Sequence, residues 1–599
     1  MRPSAGVLRR SARRFGRWLA GRGADVVHSP ECCVALPGAL HDPWRTVRIR
    51  EFLDREGLLD HGRVHAAPEP RLEDLRRVHS LDYLESLERP GGTQRAFGER
   101  LSDALEQQLL IAQRRMAGGT ALAARLALDG RTVTVHLGGG LHHAHAARGA
   151  GFCLINDVAV AIARLRRFGF EGRIAVVDCD LHDGDGTRAL FAADPTVHTF
   201  SIHNRDWDEA AAIESTSIAL GSGVDDASYL GRLRTALPEL LERFRPELAF
   251  YLAGVDGAHD DALGDWQISD AGLVERDRFV HAELQRRRVP AAVVLAGGYG
   301  DHAWRHSARS LSALLGDGRA IEPPSTAEML VERFRGIAGS LPAAALAGYG
   351  DELLTPEDLL EAFGGEAAGP RRFLGFYTPA GLELALERLG YLEELRRLGF
   401  EHPHFEFDLG APGGDTLRVF GGPDRSELLV ELRVRRERRA LPGFELLWVE
   451  WLLLQNPRAS FSDQRPALPG QQHPGLGMLR ETMAAMVLVC DRLKLDGIGV
   501  TASRFHPAAQ SADVMLPLEA ADAPVFRALI AAVGELPMAK AAALVEHGGL
   551  IDDATGAPFQ WRPFSLVFPT SERAKEHFAG EAYRRIADAP GPVFRIREA

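Results

Sequence analysis

The stretch Val176-Val-Asp-Cys-Asp-Leu-His-Asp-Gly-Asp-Gly186 constrains this chain more than any other. An apolar run, Ile174 to Val177, feeds directly into alternating acids and a histidine and then into Gly184 and Gly186. That order reads as a buried strand ending in a site. Successive side chains of an extended strand point to opposite faces, so Asp178, Asp180 and His182 are expected on one face and Val177, Cys179 and Leu181 on the other. Ligand-type groups at a strand's C-terminal end sit where open α/β sheets place their sites. By itself the stretch would also suit a solvated strand end.

Four further stretches follow the same rule. Gly138-Gly-Gly-Leu-His-His-Ala-His145 carries the adjacent His142 and His143 after a strand, and Gly151-Phe-Cys-Leu-Ile-Asn-Asp157 opens a helix. Leu252-Ala-Gly-Val-Asp256 puts another acid after an apolar run, and Leu295-Ala-Gly-Gly-Tyr-Gly300 brackets a tyrosine with glycines. Strands are expected at 132–136, 174–178, 197–203, 248–252 and 292–295. Helices are expected between them at 101–128, 157–168, 226–243 and 270–288. This alternation predicts a mostly parallel sheet covered by helices on both faces, which would bring all these motifs to one edge.

At 599 residues the chain is too long for one core, so a second domain is expected. The alternating block is assigned to residues 24–320, a helix-prone connector to 321–370, and a separate α+β domain to 371–599. In that domain the short turns among strands at 404–409, 416–420, 428–436 and 444–454 favour antiparallel pairing. A single helix is expected from Thr378-Pro379 to about Leu398. Residues 1–23 carry seven arginines and no acid, and are read as a disordered basic arm outside the fold. The formal net charge of −12 gives no overall attraction to nucleic acid or to an anionic membrane. No stretch is long and apolar enough to span a bilayer. Five cysteines without a C-x-x-C spacing argue against a disulfide framework and for a reducing, cytoplasmic setting.

Taken together and in this order, the five motifs make residues 25–315 resemble the zinc-dependent histone deacetylase family, as does the segment Asp74-Leu-Arg-Arg-Val-His-Ser-Leu-Asp-Tyr-Leu84. The resemblance implies the three-layer arginase/deacetylase-like α/β fold. It implies Asp180, His182 and Asp256 as zinc ligands, and His142 and His143 as paired histidines with Asp178 and Asp185 as their carboxylate partners. It makes Tyr299 the catalytic tyrosine, and Gly151 and Phe152 the lining of a channel for an acyl-lysine-like arm. A structural K+ near Asp178, Asp180, His182, Ser201 and Ile202 is also implied.

The chemistry suits these roles. Two carboxylates and one imidazole bind Zn2+ and leave a position open, as a catalytic zinc requires. Two aspartates cancel the ion's charge, so a separate base is needed, and His143 is the chosen general acid/base with His142 as its electrostatic partner. Tyr299, on a glycine hinge, would donate to the oxyanion. The sequence departs from the family at three points. Asp183 stands where many relatives have a second histidine, the stretch 203–218 lacks their Pro-Gly-Thr-Gly loop, and the loop 92–98 has no clear substrate-gripping acid.

In the C-terminal domain, Gln472-x-x-Gly475-x-Gly477 before a helix is weakly similar to the pyrophosphate loop of GNAT-type N-acetyltransferases, and would give an acetyl-CoA site there. The leading expectation is a zinc deacylase acting on an acylated primary amine: a protein lysine, a polyamine or a small metabolite. The alternatives are a non-catalytic acyl-lysine or metabolite-binding regulator, and a deacetylase fused to an acetyltransferase-like domain.

Overall fold

The computed structural model describes residues 24–34, 42–208, 211–347, 371–462, 466–512, 514–534 and 536–597. The expected basic arm at 1–23 and the part of the connector from 348 to 370 lie outside the described residues. The chain divides into two compact units between Thr326 and Ala327. Of the connector, the described part forms helices Thr326–Ser340 and Ala343–Ala347.

In the first unit eight strands form one sheet. They are β1 (Asp25–Val27), β2 (Val64–His65), β3 (Val133–His136), β4 (Ile174–Asp178), β5 (Val197–His203), β6 (Ser215–Ala219), β7 (Leu248–Leu252) and β8 (Ala291–Val294). Their order is β2-β1-β3-β8-β7-β4-β5-β6, and every pairing is parallel. The central strands are apolar on both faces because helices cover both. Phe250, Leu252, Ala292 and Val294 pack with the helices Asp103–Gly130 and Asp157–Arg167 through Ala124, Ala127, Val158 and Ile162. The alternate residues Tyr251, Ala291 and Val293 face Leu284 and Leu311 of the helices Asp270–Arg286 and Ala303–Leu315. This is the expected three-layer α/β architecture.

The strand β6 was not expected, and its edge position explains why. Of its five residues only Ile218 is buried, so the run carries almost no apolar signal.

The second unit holds a seven-stranded mixed sheet. Its strands are β9 (His404–Asp408), β10 (Asp415–Phe420), β11 (Leu428–Glu437), β12 (Leu446–Leu454), β13 (Gly497–Ala502), β14 (Leu516–Pro517) and β16 (Phe564–Pro569), in the order β14-β16-β13-β12-β11-β10-β9. A two-stranded ribbon pairs β15 (Leu550–Asp552) with β17 (Phe594–Ile596). β9 to β12 pair antiparallel as expected, but β12 and β13 are parallel. Their connection is long enough for a crossover because it contains the helix Leu479–Leu493. The single helix expected from Thr378 to Leu398 is two, Pro379–Arg388 and Tyr391–Arg397, broken at Gly390. Gly390 has φ +81°, a conformation that ends a helix and that glycine adopts without strain.

Candidate metal centre

The site loops leave four consecutive strands of the first sheet, β3, β8, β7 and β4, at their C-terminal ends. β4 ends at Asp178, so the expectation that Asp178, Asp180 and His182 share one face of an extended strand does not hold. The chain bends instead, and carboxylates pin the bends. Asp178 Oδ1 accepts the Asp180 amide at 3.1 Å, Asp180 Oδ1 accepts the His182 amide at 3.0 Å, and Asp256 Oδ1 accepts the Leu181 amide at 2.9 Å.

The bending turns three donors to one point. His182 Nδ1 lies 2.9 Å from Asp256 Oδ2 and 3.4 Å from Asp180 Oδ1, and one donor atom from each of the three residues falls within 4.8 Å of the others. Asp180 and Asp256 are buried. Gly297 comes within hydrogen-bonding distance, its amide donating to Asp180 Oδ2 at 2.6 Å. Burial and the neighbouring Asp180 charge raise Asp256 to about 7. Burial works against the His182 cation, but Asp180 and Asp256 prevail and raise it to about 11. Protons and a divalent ion would therefore compete for these donor atoms.

A second grouping, Asp183, His203 and Asp206, also has metal-type donors close together. Asp183 is already matched by Arg188, whose guanidinium grips both its oxygens at 2.5 and 2.7 Å.

The paired histidines stand on the loop after β3. Asp157 shapes that loop by accepting the amides of Gly140 at 3.0 Å and Leu141 at 2.7 Å, and Asn156 Nδ2 donates to the Ala144 carbonyl at 3.2 Å. His142 Nδ1 donates to Asp178 Oδ2 at 2.7 Å, and His143 Nδ1 donates to Asp185 Oδ1 at 2.7 Å. All four side chains are buried. Their electrostatics nevertheless diverge. Burial would lower His142, yet Asp178 and Asp180 outweigh it and hold the ring up at about 10. Burial, reinforced by the charge on His142, lowers His143 to about 4. The aspartates thus favour the charged form of His142, whereas burial and that neighbouring ring favour the neutral form of His143.

Tyr299 follows β8 between Gly298 and Gly300, which have φ +142° and +82°, and its amide donates to Asp261 Oδ2 at 2.7 Å. Burial, then the charges of Asp256 and Asp180, push its phenol well above the ordinary tyrosine range, so it keeps its proton. Gly151 packs against His143: a Cβ there would lie 2.3 Å from the ring's Cδ2. Phe152 is 41% exposed beside the site, with its ring centroid 6.1 Å from that of Tyr299.

Sequence reasoning missed the opposite wall. Trp207 stacks on His143 with centroids 4.1 Å apart and planes at 12°, and meets His182 edge-on at 5.6 Å. Asp183, to which the sequence suggested no role, positions it: Asp183 Oδ2 accepts the Trp207 amide at 3.1 Å. A lone tryptophan in the unfamiliar stretch 203–218 was the available signal.

The remaining expected residues are placed as follows. Ser201 and Ile202 lie on β5, with Ser201 opposite Asp178 in register. Ser201 Oγ hydrogen-bonds to His203 Nδ1 at 2.8 Å and accepts the Gly184 amide at 3.4 Å, and the Ile202 side chain is buried. In the second unit, Gln472, Gly475 and Gly477 lie between β12 and the helix Leu479–Leu493. Gly475 bridges Gln455, and the Leu476 amide donates to the Leu454 carbonyl at 3.3 Å, so part of this loop continues the strand pairing. All five cysteines are free. No helix among the described residues is long and apolar enough to cross a membrane.

Residues 39–315 match the family model described as Histone deacetylase domain. An uncharacterized protein of Picosynechococcus sp. is 34% identical over 294 residues, which cover 48% of this chain and 96% of that protein. Histone deacetylase 2 of Arabidopsis thaliana is 32% identical over 313 residues, covering 49% of this chain and 79% of that protein. Among solved structures, an HDAC homolog from Aquifex aeolicus is similar at 21% identity and a TM-score of 0.43, over 50% of this chain and 85% of that one.

Proposed function

The chain belongs to the histone deacetylase family, and on that premise we propose that its first unit is a zinc-dependent deacylase that hydrolyses the N-acyl amide of a lysine-type or other primary amine, with acetyl as the favoured acyl group. The observation that carries this reading is the convergence of Asp180, His182 and Asp256 beside two buried histidines, each held through Nδ1 by its own aspartate.

The donor set fits zinc. Two carboxylate oxygens and one imidazole nitrogen are ligands zinc accepts, and three protein donors leave a position for substrate or water. Zinc held by Asp180, His182 and Asp256 would supply Lewis acidity towards the amide carbonyl and the attacking water.

The chain's own residues account for the proton transfers. Asp185 engages His143 Nδ1, which leaves Nε2 as the acceptor for a proton from water. The low proton affinity of His143 then makes its conjugate acid a ready donor to the leaving amine. His142 keeps its proton and contributes a fixed positive charge beside the developing oxyanion. Tyr299, also protonated, donates a hydrogen bond to that oxyanion. Phe152 and Trp207 supply aromatic surface for a methylene arm and shield His143 from solvent. Five free cysteines suit a reaction carried out in the cytoplasm.

The test is acetate release from acetyl-lysine peptides, acetylated polyamines and acetylated small metabolites, with mass detection of the deacylated amine. Activity should disappear with a chelator and return with Zn2+. It should be lost in Asp180→Ala and fall by about 10² to 10³ in Tyr299→Phe. Full activity in metal-stripped protein, or in both variants, would refute the assignment.

A further inference from the structure

Beside the Gly151-Phe152 loop lies a cavity of about 210 Å3. Its wall includes Tyr83, Ser86, Arg95 and Arg148, and no carboxylate. None of the proposed zinc ligands, paired histidines or Tyr299 lines it.

Both arginines lack a carboxylate partner among the described residues. Arg95, exposed on the short helix Gln94–Phe97, makes no ion pair there, and its charge is felt at the Tyr83 phenol, where it opposes the upward push of burial. Arg148 places Nη2 2.8 Å from His145 Nε2. That nitrogen is also 2.9 Å from Asp185 Oδ2. A neutral imidazole nitrogen either donates or accepts, so Nε2 cannot serve the guanidinium and the carboxylate together. The hydroxyl protons of the wall are engaged elsewhere: Tyr83 Oη donates to the Leu154 carbonyl at 2.8 Å and Ser86 Oγ to the Tyr83 carbonyl at 2.7 Å. The cavity thus offers two guanidiniums with unused donors and no internal anion to match them.

We propose that this cavity binds a small oxyanion, a carboxylate or phosphate group, between Arg95 and Arg148. Guanidinium recognises such groups through paired, charge-assisted hydrogen bonds. An oxyanion would also give Arg148 an acceptor of its own, freeing His145 Nε2 to donate to Asp185. The site is next to the proposed reaction centre, since Ala96, also in the wall, accepts the Phe152 amide at 3.0 Å. The anion is either a free small molecule or an anionic group on the substrate.

The experiment is calorimetric titration of the full chain with inorganic phosphate and, separately, with succinate. It requires no enzymatic activity, so its outcome is separable from that of the deacylase reading. Saturable one-to-one binding is expected, weakened at least about tenfold in Arg95→Gln and in Arg148→Gln, with a smaller loss in Arg148→Lys, which keeps the charge but not the paired donors. Thermal melting of each variant reports folding, and Arg95→Gln, at an exposed position, carries the test if Arg148→Gln melts early. No saturable binding of either probe tighter than about 10 mM, or unchanged affinity in Arg95→Gln, would overturn the proposal. The source is then resolved with acetyl-lysine peptides with and without an adjacent phosphoserine. Phosphate that raises the KM of the phosphopeptide alone identifies a substrate subsite, and phosphate that binds without affecting either KM identifies a separate small-molecule anion.

Discussion

Replacing Gly297 by alanine tests the proposed metal centre without touching a ligand. An ideal Cβ at this position would lie 2.4 Å from Asp256 Oδ2 and 2.5 Å from Asp180 Oδ2. Real Cβ atoms essentially never come within 3.0 Å of a heavy atom, so each oxygen would have to retreat by about half an ångström or more. Functional metal sites hold their distances to within about 0.2 Å, so two of the three donors would leave their places. Gly297 is not among the glycines with positive φ, which means the backbone itself admits alanine. Disturbing groups that support metal ligands typically costs about 10- to 100-fold in affinity, equivalent to about 1.4 to 2.7 kcal/mol. The assay is competition for Zn2+ between the full chain and a chromophoric chelator, wild type against variant. Gly231→Ala is the control, because a Cβ there meets nothing within 4 Å. Zinc affinity within about twofold of wild type, in a Gly297→Ala protein that melts normally, would refute the reasoning.

Four further outcomes are expected. Gly231 is exposed within the helix Asp226–Phe244, so the control substitution should itself stabilise the protein by about 0.5 to 1 kcal/mol in chemical denaturation. Zn2+ affinity should be weaker at about pH 6 than at about pH 8, since the protons on Asp256 and His182, raised to about 7 and about 11, compete more strongly as pH falls; chelator competition at both pH values reads this directly. Asp185→Asn should lower kcat by about 10² or more with a smaller effect on KM, because the amide is uncharged and has one accepting oxygen in place of two, which weakens the hold on His143 Nδ1; steady-state kinetics decide. In the second unit the hydrogen bond from Arg573 holds the buried Asp496 at about 2, against an ordinary value of 3.8. A folded-state value below the unfolded one gives stability above the unfolded pKa that is lost as pH falls from about 3.8 through about 2. The shift corresponds to about 2 kcal/mol, and Asp496→Asn should lose that much at neutral pH in denaturant melts while flattening the acid limb.

The parts of the fold legible in the sequence are those where local signal and tertiary demand coincide. β4 and β7 run where their apolar runs run, because a strand covered on both faces is apolar over nearly its whole length. The proposed ligands were legible because a polar residue directly after such a run has few structural reasons to be there. Trp207 and Asp183 were not legible, since their roles depend on a loop conformation that Arg188 fixes from six-residue helix Asp185–Leu190. Nothing in the spacing of those residues indicates that an aspartate will hold an indole against a histidine. The parallel pairing of β12 with β13 was hidden for a related reason: strand direction is set by what the connection contains, and the helix Leu479–Leu493 outweighs the short turns elsewhere in the sheet.

The glycines were read in the sequence as turns and a hinge, and the structure adds a second role that periodicity cannot reveal. Gly297 and Gly254 follow the adjacent strands β8 and β7, and a Cβ on either would stand about 2.5 Å from Asp180 Oδ2. Gly151 clears the ring of His143 in the same way. These residues vacate the space into which carboxylates and imidazole are drawn together. The parallel sheet does the rest, because its order β3-β8-β7-β4 makes neighbours of motifs that are separated by more than a hundred residues. Side-chain chemistry chooses the donors and strand order assembles them, but their close approach depends on positions that carry no side chain. A scan confined to titratable residues would therefore miss a set of substitutions that damage the centre without replacing any of its donors.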